Sequence, residues 1–172
     1  MALDDAAAAP GAAATVEALF RSEYRSLVRL AALLLDDRGA AEEVVQDAFV
    51  KLQGGWDRVR DPARAPAWLR SAVLNGARSR LRHRGVRRRH LQPVPAVHES
   101  AAAGAERSDE QRRVLAALRT LPTRQREALV LKFYAELSEA ETAAAMGVSA
   151  GSVKTHVHRG LAALERLLEE ER

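Results

Sequence analysis

LSEAETAAAMGVSAGSVK, residues 137–154, is the stretch of the chain that decides its fold. Ser138 with Glu141 three residues later forms a capping-box pattern, which predicts that a helix starts at this point. Gly147 predicts the end of that helix, because glycine readily takes the left-handed backbone conformation found just after helix C-termini. Ser149 can then cap a second helix. A short helix, a tight turn containing glycine and a second helix together predict a helix-turn-helix, a motif that can place its second helix in the major groove of DNA.

The second helix of this motif is expected to reach about Leu168 and to bury one face. The residues predicted to face the core recur at helical spacing and are Val153, Val157, Leu161 and Leu164. The polar residues left for groove and phosphate contacts are Ser149, Ser152, Lys154, Thr155, His156, His158 and Arg159. The alternative is an amphipathic helical hairpin whose polar face is only solvated. The two histidines do not predict a metal site, because positions two apart on a helix project about 200° from each other.

The rest of the chain also has the pattern of helix. Hydrophobic residues make up 47% of the 172 residues, but many are alanine, and aromatic residues account for only 4%. Alanine favours helix, and no segment alternates with a period of two over a useful length. The sequence therefore predicts an all-α fold with two small helical domains joined by a flexible linker. The expected divisions are a disordered Ala-rich tail at 1–14, a first domain at 15–90, a linker at 91–108 and a second domain at 109–172.

Apolar periodicity in the first domain predicts three helices, at about 16–35, 40–54 and 66–84, with a loop at 56–65. Trp56 and Trp68 are expected to pack in the core, although aromatic rings could also stack on unpaired bases. Beyond the third helix the apolar periodicity is lost.

Charge is distributed unevenly over the first domain. The chain carries a net charge of +4, and no acidic residue occurs between Leu69 and His98, where arginines are frequent. Such a density of cations favours nucleic acid, because each neutralised phosphate releases condensed counterions; the alternative is a solvated basic face. The second helix is instead acidic, so its polar face should meet a protein or water. The sequence thus predicts two cationic surfaces for DNA and one acidic surface for a protein.

Several classes of protein are disfavoured by what the sequence lacks. The chain contains no cysteine, which excludes disulfides and cysteine-ligated zinc. It has no Gly-rich phosphate loop and no clustered His-Asp-Ser set, so neither an enzyme nor a cofactor or metal site is expected. No apolar run approaches the roughly 20 residues that a membrane-spanning helix needs, and the start of the chain has no basic segment typical of a secretion signal. The expected location is the cytoplasm, without membrane insertion.

Four motifs resemble those of a known family. They are Ala41-Glu42-Glu43-Val44-Val45-Gln46-Asp47-Ala48-Phe49, Ala67-Trp68-Leu69 with Asn75 and Arg82, Leu121-Pro122-Thr123-Arg124-Gln125-Arg126-Glu127, and Leu137-Ser138-Glu139-Ala140-Glu141 through Gly147-Val148-Ser149 to Val153-Lys154. In order and spacing they are similar to the extracytoplasmic-function (ECF, group 4) sigma factors of bacterial RNA polymerase, of the actinobacterial sigma-E type. The resemblance covers residues 16–84 and 109–168.

The resemblance implies a role for each surface. The first domain would bind the clamp helices of the largest polymerase subunit through residues on and just before the second helix: Asp37, Glu42, Glu43, Gln46 and Asp47. It would also read and open the minus-ten promoter element, for which the matching residues are Arg64, Arg70, Asn75, Arg78, Ser79, Arg82 and Arg84. The loop before the third helix would cradle a base flipped from its strand. The helix-turn-helix would bind the minus-thirty-five element, and the linker would thread through polymerase channels.

Further partners are implied by the same resemblance. They are the flap of the second polymerase subunit and an anti-sigma factor that holds the protein inactive by covering its polymerase- and DNA-binding faces. Two departures from the family pattern affect the promoter sequence rather than the role: Ser79 stands where many relatives have aspartate, and His156 stands where many have arginine.

A stand-alone helix-turn-helix regulator is the alternative function. Its N-terminal helices would dimerise or sense a ligand, and it would bind duplex promoter DNA without polymerase. This alternative explains the C-terminal motif equally well, but it gives no reason for a second basic surface beside an acidic helix.

Overall fold

The computed structural model describes residues 12–90 and 108–170. Seven α-helices lie in these two ranges. They are α1 (Ala12–Leu35), α2 (Arg38–Gly54), α3 (Ala65–His90), α4 (Asp109–Thr120), α5 (Thr123–Leu129), α6 (Glu139–Met146) and α7 (Ala150–Glu170). No β-strand occurs within the described ranges, which agrees with the predicted all-α fold. Most of the Ala-rich tail and of the predicted linker lie outside the described residues.

The helices α1, α2 and α3 pack around a common core in the first half of the chain. Leu27 of α1, Val45 of α2 and Leu69 of α3 expose 2% of their surface or less. Complete burial of such a side chain stabilises a fold by about 1.5–3 kcal/mol. The helix α2 begins where the Asp37 carboxylate accepts a hydrogen bond from the backbone N–H of Ala40 at 2.9 Å.

The segment between α2 and α3 is more regular than the loop expected from its sequence. Trp56–Arg58 and Pro62–Arg64 each form a short 3-10 turn. The Asp61 carboxylate accepts a hydrogen bond from the backbone N–H of Ala63 at 3.1 Å, as aspartate often does at a turn. The segment therefore enters α3 with a defined backbone path.

The helix α3 is longer than expected, because it continues to His90 instead of ending near Arg84. Loss of apolar periodicity predicted the earlier end, but arginine is a good helix former even where the sequence has no apolar pattern. A single glycine such as Gly85 costs about 1 kcal/mol without stopping a helix. The core position predicted for Trp68 is wrong, since this side chain is 44% exposed, whereas Trp56 packs half-buried against the core.

The second half of the chain is built around the predicted helix-turn-helix. The Ser138 hydroxyl accepts a hydrogen bond from the Glu141 backbone N–H at 3.2 Å, and the Glu141 carboxylate accepts one from the Ser138 backbone N–H at 2.8 Å. The capping box is thereby confirmed. Gly147 follows α6 with a φ of 67°, in the left-handed region as predicted. Ser149 then caps α7 by accepting a hydrogen bond from the Ser152 backbone N–H at 3.1 Å.

The buried face of α7 differs from the prediction at one position. Val153 is 1% exposed and Val157 packs against the core, but Leu161 is 42% exposed. Gly160 is buried instead, directly against the side chain of Leu129 on α5. Because 3.6 residues complete a helical turn, Gly160, seven residues after Val153, lies within about 20° of the same face, whereas Leu161, eight residues after it, is turned about 80° away.

The two halves of the chain pack against each other. The helix α6 contacts α3, and Val130–Tyr134, a single π-helical turn after α5, contacts α1. The buried residues of both halves form one continuous hydrophobic cluster. One side of α3 is therefore covered by the second half of the chain. None of the helices in the described ranges is long and apolar enough to cross a membrane.

Candidate nucleic-acid interface

The first half of α7 presents a polar, cationic surface. His158 and Arg159 are exposed, and His156 is half-buried. The Lys154 side chain is 71% exposed, and its Nζ lies 3.6 Å from a carboxylate oxygen of Glu139 on α6. An exposed ion pair of this kind contributes little to stability, so the Lys154 amine can exchange this carboxylate for a phosphate at small cost.

Short polar side chains at the start of α7 are hydrogen-bonded within the helix. The hydroxyls of Ser149 and Ser152 lie 2.9 Å apart, and the Thr155 hydroxyl donates to the Gly151 carbonyl at 3.0 Å. These bonds hold the hydroxyls in defined positions beside the cationic side chains. The structure thus brings all seven residues predicted for this surface to the first half of α7 and its cap, and none of them is buried.

The seven residues predicted for the minus-ten element differ in accessibility. The exposed members are Arg64, Asn75 and Arg82, and the half-exposed members are Arg70, Ser79, Arg84 and Arg78. The Arg78 side chain is only 14% exposed, compared with 41% for that of Arg84. The predicted residues therefore do not form one uniformly open surface.

Arg78 points toward the second half of the chain. Its Nε and Nη2 donate to the two carboxylate oxygens of Glu127 at 2.7 and 2.8 Å. Its Nη2 also donates to the Met146 carbonyl at the end of α6 at 3.2 Å, and its Nη1 donates to the Asn75 side-chain oxygen at 2.9 Å. This two-pronged geometry is the strongest way for arginine to hold a carboxylate.

Glu127 is the only acidic residue that is buried within the described ranges, with 1% exposure. A second cation reaches the same carboxylate, because Arg124 Nη1 donates to it at 3.2 Å and to the Met146 carbonyl at 3.1 Å. No individual role was predicted for Glu127 from the sequence. The sequence feature that could have identified Glu127 is its position between arginines in an otherwise apolar stretch, because a buried carboxylate requires nearby cations.

Arg126 makes a second polar contact between the halves. Its Nη1 donates to the Leu34 carbonyl at 2.7 Å, at the C-terminal end of α1 where backbone carbonyls lack helical partners. Burial lowers the pKa of Arg126, and the Asp36 carboxylate acts in the opposite direction. Asp36 itself pairs with Arg119 at 2.7 Å. The end of α1 is therefore held by arginines of the second half.

The acidic residues predicted to bind polymerase lie along α2 and at its cap. Gln46 and Asp47 are exposed. Glu42 pairs with Arg38 one turn earlier at 2.9 Å. The remaining two, Glu43 and Asp37, face α3 and pair with Arg80 and Arg84 respectively.

The ion pairs Glu43–Arg80 and Asp37–Arg84 show that the acidic surface of α2 and the basic surface of α3 adjoin each other. Arg84 also donates to the Leu35 carbonyl at 3.0 Å, so its guanidinium is tied to the turn between α1 and α2. Both pairs are partly exposed and are worth little in stability. Their main effect is to reduce the net charge of each surface near the edge.

A cleft of about 850 Å³ lies between the 3-10 segment, the start of α3 and α6. Its walls include the exposed Trp68 ring and cationic side chains, together with Glu141, Ala144 and Ala145 from α6. The cations are Lys51, Arg58, Arg60, Arg64 and Arg70. Hydrogen bonding from Ser138, first from its side chain and then from its backbone, lowers the pKa of Glu141, with a smaller contribution from Arg70. The cleft thus combines an aromatic ring with a cationic lining, which suits a base and its phosphate.

The sequence matches two family models, one in each half of the chain. Residues 19–87 match sigma-70 region 2, and residues 111–164 match sigma-70 region 4. The first match covers α2 and nearly all of α3, and the second covers the helix-turn-helix.

Similar proteins of known role include two from actinobacteria. The RNA polymerase sigma-E factor of Streptomyces avermitilis is 35% identical over 157 residues, which span 89% of this chain and 84% of that protein. The ECF RNA polymerase sigma factor SigM of Mycobacterium tuberculosis is 34% identical over 153 residues, spanning 87% of this chain and 75% of that protein.

Solved structures agree with this similarity. The sigma factor RpoE of Bartonella quintana, solved with the anti-sigma factor NepR, superposes with a TM-score of 0.72 at 26% identity over 91% of this chain and 98% of that one. CnrH, solved with the cytosolic domain of CnrY, gives a TM-score of 0.69 at 27% identity over 94% of this chain and 96% of that one.

The fold and the two matched regions define a promoter-recognition subunit. The chain belongs to the sigma-70 family, as an ECF-type alternative sigma factor for transcription initiation. The matches to both halves favour this function over a stand-alone helix-turn-helix regulator.

Proposed function

We propose that this sigma factor has no chemistry of its own and divides its binding energy among three surfaces. The acidic surface of α2 holds the polymerase core, α3 with the preceding cleft takes the minus-ten element, and α7 takes the minus-thirty-five element. The protein works in the cytoplasm, with the polymerase. The observation that carries this proposal is the separation of charge between the exposed side of α2 and the exposed sides of α3 and α7.

The polymerase-binding surface is centred on Gln46 and Asp47. Both side chains are exposed, and they lie on the side of α2 opposite its buried residues Val45 and Ala48. Glu42 and Glu43 lie one turn earlier and extend the acidic surface toward Asp37. Exposed acidic side chains on a rigid helix provide electrostatic complementarity to a basic protein surface, which affects both the rate and the specificity of binding.

The minus-ten surface is proposed to take single-stranded DNA. Arg82 offers an exposed cation for the backbone, and Trp68 offers an exposed ring beside the cleft. An unpaired base that entered the cleft could stack on the Trp68 ring while Arg64 and Arg70 neutralised the adjacent phosphates. Stacking of this kind is worth about 1–3 kcal/mol per base, which offsets the cost of unstacking it from the duplex.

The minus-thirty-five surface is proposed to be the exposed side of α7. Lys154 and Arg159 would contact phosphates or guanine, while Ser152 and Thr155 would position the helix in the groove. The helix is held for this role by the Gly147 turn and by the burial of Val153.

Two further partners are proposed, one from an exposed surface of the second half and one from the family relationship. Phe133 and Tyr134 are 59% and 41% exposed after α5, and this apolar surface is proposed to receive the flap of the second polymerase subunit. Both solved neighbours described above were captured with an anti-sigma factor or a cytosolic partner domain. A protein of the anti-sigma class is proposed to regulate this chain as well.

Charge reversal on α2 tests the polymerase-binding surface. Asp47→Lys should weaken association with polymerase core by about tenfold or more, because like charges across an interface cost several kcal/mol. Asp47 has an exposed side chain, so thermal stability should not change. The affinity for core is measured by fluorescence anisotropy with the full-length labelled chain.

Glu165→Lys is the matched control, because Glu165 is an exposed acidic residue on α7 with the same charge change. The proposed polymerase-binding surface is wrong if Asp47→Lys and Glu165→Lys weaken core binding equally, or if neither does.

A further inference from the structure

An aromatic cluster on α1 and α2 belongs to none of the three surfaces of the proposed function. Phe20 stacks on Tyr24 one turn later, with 4.4 Å between the ring centroids, and meets Phe49 of α2 edge to face at 5.1 Å. Phe49 is buried, whereas Phe20 keeps 42% of its surface exposed. A partly exposed ring that two other rings hold in place is a preorganised surface on which a planar group can stack.

The cluster lies close to the cleft proposed for the minus-ten element. Leu52 follows Phe49 by three residues on α2, and both Leu52 and the preceding Lys51 line the cleft. The rise from Phe49 to Leu52 is only about 4.5 Å along the helix axis. A strand that left the cleft across the end of α2 would therefore meet Phe20 within a few nucleotides, since each stacked nucleotide spans about 3.4 Å.

The exposed side of α1 next to this ring is cationic. The exposed charged residues before the buried Leu30 are three arginines, Arg21, Arg25 and Arg29, and one acid, Glu17. Arg21 and Glu17 form an exposed ion pair, which is worth little, so Arg21 can exchange the carboxylate for a phosphate. None of the ion pairs in the described ranges involves Arg25 or Arg29. The arginines form a row with a spacing of about 6 Å along the helix.

This charge favours a nucleic acid over the polymerase as the occupant. The polymerase-binding surface proposed on α2 is acidic and fits a basic protein surface, which a row of arginines would repel. A phosphodiester strand is attracted to the arginines, and its bases can stack on an aromatic ring whatever their sequence. A base on Phe20 would leave its phosphates on the solvent side of α1, where Arg21 and Arg25 lie about 100° and 140° around the helix from Phe20.

We propose that Phe20 and the arginines that follow it on α1 form a second contact for single-stranded DNA, on the strand that continues from the minus-ten cleft. This inference rests on the proposed function of the cleft and extends it to α1. Phe20 stacks on an unpaired base, and Arg21 and Arg25 neutralise the adjacent phosphates. The melted strand is thereby held at two separate rings, Trp68 and Phe20, which stabilises the open promoter.

Photo-cross-linking identifies what Phe20 contacts in the open promoter complex. Phe20 is replaced by the photoreactive p-benzoylphenylalanine in the full-length chain, which is then bound to polymerase core and to a promoter that the holoenzyme transcribes. Transcripts made by the same complexes show that the promoter is open. A covalent product with one DNA strand is expected. A product with a polymerase subunit, or no product with either, would overturn the proposal.

Oligonucleotide affinities separate this contact from the cleft itself. The holoenzyme is titrated with the cross-linked strand cut to the minus-ten element alone, and with the same strand extended by about six nucleotides at either end. One extension should raise the affinity by about tenfold, which is within the range for stacking of a single base. Phe20→Leu should abolish this gain and Phe20→Tyr should keep it, because leucine is apolar but offers no ring to a base.

Arg25→Gln tests the phosphate contacts. It should reduce the slope of log affinity against log salt concentration for the extended strand by about 0.7, the value for one phosphate of a single strand. Arg166→Gln, the matched loss of an exposed cation on α7, should not. Helical circular dichroism like that of the parent shows that each variant is folded.

The outcomes distinguish this contact from the proposed function on which it rests. If the short strand is not bound, the function proposed for the cleft fails and the contact on α1 fails with it. If the short strand is bound but neither extension adds affinity, or Phe20→Leu keeps the gain, only the contact on α1 is refuted.

Discussion

At the scale of single residues, Lys154 carries the most direct consequence for DNA. Its side chain is 71% exposed, and its Nζ lies 3.6 Å from a carboxylate oxygen of Glu139. Glu139 lies on α6 at the edge of the same surface, so it lowers the positive potential that a phosphate would meet. The two residues should therefore have opposite effects on promoter affinity.

Lys154→Ala should weaken the binding of holoenzyme to a promoter fragment that it transcribes, and Glu139→Gln should strengthen it. Loss of one phosphate contact reduces the slope of log affinity against log salt concentration by about 1. Filter binding over a series of salt concentrations measures both the affinity and the slope. Arg166→Ala is the control, since Arg166 is an exposed cation farther along α7. An equal loss with Arg166→Ala would mean that Lys154 acts only through overall charge.

Predictions from sequence succeeded where a local pattern determines the structure and failed where distant residues do. Ser138, Glu141 and Gly147 act on backbone within a few residues, so the capping box and the turn were predicted correctly. Trp68 was placed in the core because it is large and apolar, but the side of α3 that it occupies faces an open cleft. Glu127 was missed because its main partner, Arg78, is 49 positions away along the chain.

At the scale of elements, the close approach of α2 and α3 fixes the shape of the first half. A methyl group added to Gly76 would lie 2.7 Å from Val44 Cγ1, closer than real contacts allow. Val44 is β-branched and has little freedom to move its side chain within a helix. The separation of the two helices thus depends on the absence of a side chain at Gly76.

Gly76→Ala and Gly85→Ala form a matched pair on the same helix. Nothing lies within 4 Å of an added methyl group at Gly85, so Gly85→Ala should stabilise the fold by up to about 1 kcal/mol through helix propensity. Gly76→Ala should be less stable than Gly85→Ala by about 1–3 kcal/mol, the usual cost of overpacking. Chemical denaturation followed by circular dichroism compares the two. Equal stabilities would show that α2 and α3 can separate freely.

The length of α3 and the buried face of α7 illustrate a second limit of sequence patterns. Apolar periodicity detects a helix only where apolar residues recur at helical spacing, and the sequence after Arg84 is mostly basic, so the end of α3 was not predicted. In α7 the four-residue spacing of Val153, Val157 and Leu161 predicted one buried face. Gly160 is buried instead of Leu161, and because glycine has no hydrophobic side chain, the sequence pattern did not indicate its burial. The first error concerns where a helix ends, and the second concerns which of its residues contact a neighbouring helix.

At the scale of the whole molecule, the two halves pack against each other through one interface. The acidic side of α2 remains outside this interface, whereas part of the cationic side of α3 lies within it. On the proposed function, the polymerase-binding surface is thus accessible in this arrangement, whereas part of the minus-ten surface is not.

Run-off transcription on a library of genomic fragments tests the central claim most directly. Purified polymerase core is assayed with and without the full-length chain, and the start sites of the transcripts are mapped. Discrete start sites that require the chain, preceded by shared sequence elements near minus ten and minus thirty-five, are expected. The account is contradicted if the chain directs no discrete start with core and instead binds double-stranded DNA tightly and sequence-selectively by itself.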